Sequence, residues 1–510
     1  MDRILILDFG GQYSQLIARR VRELHVFSEV IAFDRITESE IKERGYRGII
    51  LTGGPNSVND PVSPKCGPFI LNMDVPLLGI CYGAQLIAKL AGGSVAHAGM
   101  NSEYGKTEIH TDSHPLFSGV PAKTVCWMSH TDQVSALPEG FHVIARTGSC
   151  PVAAFGSDER RIYGLQFHPE VSHTAYGMNI LHNFLFRICG CSPLWVMDEF
   201  VRSSVSRYKE ELRGKRVLLA LSGGVDSSVA AVLLRKAIGR DLSCVFVDHG
   251  LLRKNEPERI RSYFEQNLGL HVVFVDARDR FLARLKGITD PEQKRRIIGE
   301  EFVRVFEEEA DKLGEFDSLA QGTIYPDVIE SGKGIASVIK SHHNVGGLPD
   351  NIRFSSVTEP LRDLFKDEVR EVGRSLLLPD EIISRQPFPG PGLAVRILGE
   401  VTQEKLDLLR DADAVFCEEV EKLPSSQRPS QYFAVLTESR SVGVKGDARV
   451  YGGTIVLRAV LTDDFMTADW SKLPFDLLDR VSGRITGEIS GITRVVYDIT
   501  SKPPATVEWE

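Results

Sequence analysis

In the stretch GICYGAQ (79–85), one cysteine stands between two glycines, Gly79 and Gly83, each two residues away. The apolar PLLGI before it reads as a strand and QLIAKLAGG after it as a helix, so Cys81 falls on a tight strand-to-helix turn. Glycines at these positions let neighbouring backbone pack close and let the turn take up strain. A thiol at a helix N-terminus faces the positive end of the helix, which favours the thiolate. Such a nucleophile needs a base, and the base needs a group to orient it. LQFHPE (165–170) offers both: a strand ends at His168, Pro169 stiffens the step, and Glu170 follows. The oxyanion formed on attack needs N–H donors. LTGGP (51–55) offers a Gly-rich loop at Gly53–Gly54 after another strand, and the Tyr82 N–H directly follows the nucleophile.

A second stretch suited to chemistry is LSGGVDSSVA (221–230). Strand, loop and helix in this order make an anion nest at a helix N-terminus. Gly223 and Gly224 let the backbone approach phosphates, and the hydroxyls of Ser222, Ser227 and Ser228 donate to them. The lysine of the usual GxxxxGK[ST] phosphate loop is missing. Asp226 is out of place beside an anion unless it acts through Mg²⁺.

The elements that must position these groups fall into three regimes. To about residue 190, short apolar runs (RILILDF, SEVIAF, GIILTGG, PLLGI) alternate with helical spacing, as in QLIARRVREL, which predicts a parallel sheet covered on both faces. From about 195, an amphipathic helix over 193–214 leads into strands RVLLAL, SCVFVDHG and HVVFVDA with helices between, a second doubly wound α/β unit. LAQGTIYPDVIES (319–331) reads as a polar loop. RQPFPGPGLAVR (385–396), rich in Pro and Gly, marks a boundary. Beyond it the pattern predicts a helix near 402–422, strands near 432–437 and 454–462, a helix over 474–489 and a strand over 494–500, a small α+β domain. The boundaries read 3–192, 193–385 and 386–510.

Composition narrows the function classes. The 510 residues carry a net charge of −9, which gives no overall electrostatic case for nucleic acid. No apolar run reaches membrane-spanning length, and the polar, acidic start is not that of a signal peptide. Eight scattered cysteines are too few for a disulfide framework and point to a reducing cytoplasm.

GICYGAQ, TGGP and FHPE together resemble the class I glutamine amidotransferases, which hydrolyse glutamine through a γ-glutamyl thioester and release ammonia. The resemblance covers roughly residues 3–190. It implies Cys81 as nucleophile, His168 as base, Glu170 as orienter, and Gln85 with Gly53 and Gly54 around the glutamine. SGGVDSS is similar to the pyrophosphate loop of the N-type ATP pyrophosphatases, which cleave ATP between the α and β phosphates. That implies an ATP-binding loop of Ser222, Gly223, Gly224, Val225, Asp226, Ser227 and Ser228. No Walker lysine is then expected, because the loop holds leaving pyrophosphate.

KSHHNVGGLP (340–349), PFPGPGLAVR (387–396), GDARVYGG (446–453) and the end YDITSKPPATVEWE resemble the glutamine-hydrolysing GMP synthetase family over the whole chain, in its domain order. The resemblance implies amination of XMP to GMP with ATP, Mg²⁺ and glutamine, and no organic prosthetic group. It also implies a cytoplasmic homodimer joined through the C-terminal domain. XMP, a dianion, calls for cations and backbone amides, for which Arg253, Lys502 and the PFPGPG glycines, Gly390 among them, are candidates, with Glu508 reading base or ribose. KSHHNVGG reads as a lid, its Lys340, His342 and His343 meeting phosphate oxygens. A His-His metal site there lacks a nearby carboxylate.

Three rivals fit less well. A tRNA-modifying enzyme with a pyrophosphate loop needs a basic stripe or an RNA-binding domain. A CTP synthase carries its glutaminase at the other end and a Walker-type loop. A regulatory protein on a dead amidotransferase fold predicts loss of Cys81 or of the 222–228 loop.

Overall fold

The computed structural model of the protein describes residues 1–331, 354, 356–462 and 467–510. The chain divides into two compact units, Met1–Phe200 and Val201–Glu510.

In the first unit the strands are β1 (Arg3–Asp8), β2 (Phe27–Ala32), β3 (Gly48–Leu51), β4 (Leu77–Ile80), β5 (Ser94–His97), β6 (Glu103–Thr111), β7 (Lys123–His130), β8 (Asp132–Ala136), β9 (His142–Thr147), β10 (Ala154–Ser157) and β11 (Ile162–Leu165). Nine of them form one sheet in the order β2-β1-β3-β4-β11-β10-β9-β6-β7. The β2-β1-β3-β4-β11 half is parallel, as the continuous apolar runs predict, and β10, β9, β6 and β7 extend it antiparallel. Ile4–Leu7 of β1 and the residues of β3 and β4 are almost fully buried, and many of them pack with the helix Tyr82–Leu90 into one apolar core. The strands that carry Gly53–Gly54, Cys81 and His168 are β3, β4 and β11. They are adjacent and parallel, so all three sites emerge at one sheet edge.

In the second unit β12 (Val217–Ala220), β13 (Leu242–Asp248), β14 (Val272–Asp276), β15 (Ser318–Ala320) and β16 (Ser356–Thr358) form a parallel sheet in the order β14-β13-β12-β15-β16. The order reverses at β12, the place where α/β sheets hold ligands beyond their strand ends. The helix expected over 193–214 runs Met197–Glu211, across the division between the units, and Pro193–Val196 precede it. After β15 the chain does not stay a loop through 331: a helix begins at Tyr325, with Ile324 N–H held by the Asp327 carboxylate, a side-chain cap that a polar stretch conceals.

β17 (Gln431–Lys445) and β18 (Ala448–Leu461) make a long antiparallel hairpin, joined by β19 (Asp469–Trp470) and, parallel to β18, β20 (Ile492–Asp498). The hairpin is longer than its sequence suggests: its outer half, ESRSVGVK and ARVYGG, is held by the ladder, by Arg440 Nη2 donating to Tyr451 O at 3.2 Å and by Ser441 Oγ, 3.0 Å from Thr493 Oγ1 on β20. Both sheets of the second unit share one apolar core, from Leu218 and Val245 through Leu393 and Phe416 to Ile455 and Ile492.

Candidate active sites

At the end of β4 the backbone of Cys81 takes φ 52° and ψ −106°, a strained conformation for any residue with a Cβ. The strain is sustained by the packing on either side. A Cβ on Gly79 would lie 2.5 Å from the Ala84 nitrogen, and one on Gly83 2.4 Å from the Leu51 carbonyl oxygen. Only glycine fits there, and the close approach pins the helix Tyr82–Leu90 against β3 and β4. The Cys81 N–H donates to Leu165 O at 2.7 Å, so β11, which leads to His168, also fixes the elbow.

His168 Nδ1 lies 2.7 Å from Glu170 Oε1, and both side chains are buried. Burial alone would lower the His168 pKa. The Glu170 charge and hydrogen bonds to Cys81 and Glu170 outweigh that and hold it well above the ordinary value. The raised pKa favours the imidazolium beside the thiol, an arrangement that stabilises a thiolate. Tyr13 packs edge-on against the ring at 5.1 Å, and the His168 main chain is held on both sides: its backbone N–H donates to Trp127 O at 3.0 Å and its carbonyl accepts from Thr174 Oγ1 at 2.5 Å. Arg20 Nε holds the Glu170 carbonyl at 2.9 Å.

Gly53 faces this pair, for a Cβ on it would sit 3.5 Å from His168 Cε1 and 3.9 Å from Cys81 Cβ. Gly54 packs on the Tyr82 ring, 3.0 Å from Cγ by the same measure. The Tyr82 N–H opens its helix and so has no preceding turn to accept it. Gln85 is buried; its Nε2 donates to Asp132 O at 2.7 Å and to Gln166 Oε1 at 3.2 Å, and Gln166 Nε2 in turn approaches Cys81 Sγ at 3.8 Å. Gln166 and Ser129, whose carbonyl lies 3.7 Å from the thiol, carry no sequence pattern that singles them out.

In the second unit, Gly223 has φ 74° and Gly224 caps the helix Val225–Ile238. The hydroxyls brace the loop itself: Ser222 and Ser227 Oγ are 3.0 Å apart, and Ser228 Oγ donates to Gly224 O at 2.7 Å. Ser222, Gly224, Asp226 and Ser227 line a cleft of about 130 Å³ together with Gln321, Gly322 and the apolar Phe302, Val303 and Phe306. A lysine does reach this loop, from 140 residues further along the chain: Lys366 Nζ lies 2.5 Å from Asp226 Oδ2. Lys366 was not foreseen, because nothing local in FKDEVR points to the loop. Asp226 Oδ1 is buried without a hydrogen-bond partner among the described residues, which fits a carboxylate oxygen set aside for a cation.

Arg253 is held against Asp413 at 3.5 Å and lies 4.8 Å over the Phe388 ring. Arg385 and Arg396 share that ring, at 5.9 and 5.3 Å. Phe388 of PFPGPG thus gathers three guanidinium groups, while Gly390 is exposed. Glu508 is committed to protein partners: Arg396 donates to both its oxygens at 3.0 and 2.8 Å, and Gln431 to one at 3.0 Å. The Lys502 backbone pairs with Ala468 in both directions. The tail is ordered by buried cations. Arg458 donates to the Thr500 and Thr506 carbonyls, at 2.5 and 3.0 Å, and Lys294 pairs with Glu510. Lys340, His342 and His343 lie outside the described residues.

At the β13 end, burial, helped by the Arg410 charge, pushes the His249 pKa down to about 4, so it is neutral in the fold. An unfolded chain takes up that proton below about 6.5, the folded one only near 4, so stability is expected to fall as pH drops through this window. Thermal unfolding followed from pH 7 to 4 checks this. His249→Asn should flatten the dependence, and an unchanged slope would remove His249 as its cause.

A family model described as glutamine amidotransferase class-I matches residues 5–188, one for NAD synthase residues 196–296, and one for the GMP synthase C-terminal domain residues 418–509. GMP synthase (glutamine-hydrolyzing) of Acetivibrio thermocellus is 58% identical over 510 residues, covering 100% of this chain and 99% of that one. Its counterpart in Ruminiclostridium cellulolyticum is 56% identical, with the same coverage of 100% and 99%. That of Clostridium perfringens is 55% identical and covers 100% of both chains. Among the described residues, no helix is long and apolar enough to cross a membrane.

Proposed function

Because the chain belongs to the family of glutamine-hydrolysing GMP synthases, we propose which of its residues carry each half of that reaction. The protein converts XMP, ATP, glutamine and water into GMP, AMP, pyrophosphate and glutamate. The observation that carries the assignment is the juxtaposition of a strained Cys81 with a buried His168–Glu170 pair.

In the first unit the Cys81 thiolate attacks the glutamine carboxamide. The backbone N–H of Tyr82 and the Gly53–Gly54 loop receive the oxyanion, Gln85 braces the pocket through Gln166, and His168 protonates departing ammonia. Glu170 holds the imidazole in register for the water that opens the thioester. In the second unit the 2-oxygen of XMP attacks the α-phosphorus of ATP, the 222–228 loop with Val225 at the head of its helix receives pyrophosphate, and ammonia displaces AMP. Mg²⁺, for which Asp226 Oδ1 is suited, supplies charge neutralisation on the phosphates. Lys366 balances Asp226. Arg253, Lys502 and the backbone at Gly390 take the XMP phosphate. Glu508 serves the XMP site through Arg396.

Segments 3–192, 193–385 and 386–510 are the functional divisions. A cytoplasmic homodimer belongs to the same reading, supported by Val442, Val444 and Tyr451 standing exposed on the β17–β18 hairpin as a surface for a second copy.

Purified protein given XMP, ATP, Mg²⁺ and glutamine should yield GMP with AMP and pyrophosphate in equal amounts. ADP and phosphate would mean that the loop does not hold leaving pyrophosphate. Asp226→Ala should slow adenylation roughly 10- to 100-fold while glutamine hydrolysis continues. Unchanged adenylation would remove Asp226 from the ATP site.

A further inference from the structure

The helix Glu256–Ser262 backs the phosphate loop with one face. Ile260 closes on Gly223, where a Cβ would stand 2.3 Å from its Cδ1. One turn earlier on that face, Glu256 forms an ion pair with Arg385. Arg385 spends its other arm on the loop, with Nη1 donating to the Gly223 carbonyl at 2.5 Å. The second oxygen of Glu256 accepts the Arg253 backbone N–H at 2.8 Å. The result is an unbroken chain: Gly223 carbonyl, Arg385 guanidinium, Glu256 carboxylate, Arg253 main chain. One end is the ATP loop. The other carries a guanidinium whose Nε and Nη2 are buried without hydrogen-bond partners among the described residues.

We propose that Arg385 is a positioning residue that couples the two nucleotide sites, so that nucleotide in the 222–228 loop sets the Arg253 segment for XMP and XMP sets the loop for ATP. This rests on the reading that the loop binds ATP and Arg253 meets XMP. The planar fork of arginine is needed because one group must serve a carbonyl and a carboxylate in fixed directions, which a lysine ammonium does not do. The Gly223 carbonyl belongs to the peptide whose N–H is that of Gly224. Turning that carbonyl turns the donor at the helix start, so the state of Arg385 is felt at the phosphates. Burial first, and then the neighbouring Arg253 charge, pulls the Arg385 pKa down to about 10, so an anion arriving at Arg253 relieves a repulsion that Arg385 shares.

The test is XMP binding by calorimetry to the full chain, with and without a saturating ATP analogue whose α–β bridge is methylene. The parent should bind XMP about fivefold or more tightly with the analogue present, and the analogue should gain by the same factor from XMP. Arg385→Lys and Glu256→Gln should bring that factor to about one, with each ligand still binding alone and the unfolding midpoint within a few degrees of the parent. Coupling that persists in both variants overturns the proposal. Parent protein that binds both ligands without coupling overturns it as well and leaves the site assignments standing. Failure of the parent to bind the analogue at all instead overturns the underlying reading of the loop. If Arg385→Lys alone is unstable, Glu256→Gln decides, since it breaks the ion pair while an oxygen remains for the Arg253 N–H.

Discussion

Cys81→Ala is expected to lower glutamine-dependent GMP formation by about three orders of magnitude or more, while GMP formation from added ammonium salt stays close to that of the parent. The size follows from the proposed role of Cys81 Sγ as the atom that forms the thioester; among the described residues Ser129, beside the thiol, presents only its carbonyl. The selectivity follows from the two-unit division, because the second unit needs ammonia whatever its source. Alanine keeps the Cβ and the backbone strain of φ 52° unchanged, so the elbow should fold as before. Measuring GMP with glutamine and then with ammonium checks both halves. Loss of both activities would sink the reading of two separate chemistries.

Deleting residues 502–510 should abolish GMP synthesis outright, and by unfolding rather than by weaker XMP binding. Arg396 and Lys294 have no exposed side-chain surface, and the carboxylates that pair with them, Glu508 and Glu510, both lie in the deleted stretch; Arg458 keeps Asp498 but loses the Thr506 carbonyl. Removing one partner of a buried pair costs about 3–5 kcal/mol, so stripping two at once is comparable to the whole stability of an ordinary domain. Glutamine hydrolysis at Cys81 should persist, since the first unit has its own core. The contribution of the tail to XMP is therefore read from Lys502→Ala, which spares the three buried cations. It should raise the XMP requirement roughly 10- to 100-fold with little change in the unfolding midpoint. Normal XMP dependence in Lys502→Ala would remove that residue from the site.

The parts legible in the sequence are those whose chemistry is local. Gly79, Cys81 and Gly83 lie within one turn, His168 and Glu170 are two residues apart, and the 222–228 loop is continuous, so spacing alone suggests their geometry. The parallel order of β1, β3 and β4 follows from runs such as RILILDF and GIILTGG, buried on both faces. What spacing conceals is pairing across the fold. Lys366 meets Asp226, Arg385 meets Gly223 and Arg396 takes Glu508 only because β-strands and helices far apart in the chain pack side by side. Glu508 reads from the sequence as a group for the base or ribose, but its buried partner is hidden, because Arg396 sits in an apolar run, GLAVRIL, where a cation is unexpected. The outer half of the β17–β18 hairpin is hard to read for another reason: its short alternation at Val442 and Val444 stands among Ser, Gly and charged residues and faces outward, so it does not mark a core strand.

The clamp of buried cations on residues 500–510 also sets an order of events during biosynthesis. Each strand and helix of the second unit leaves the ribosome before Glu508 and Glu510, the carboxylates that pair with the buried Arg396 and Lys294. The first unit, with every partner of its nucleophile inside residues 1–200, can be complete while the second is still being made. A nascent or prematurely terminated chain would thus be a finished glutaminase attached to an unfinished synthetase. Cellular proteolysis, which acts on open structure, would discriminate against it. The tail serves in this way as a seal of completion, separating whole enzymes from those that would consume glutamine without making nucleotide.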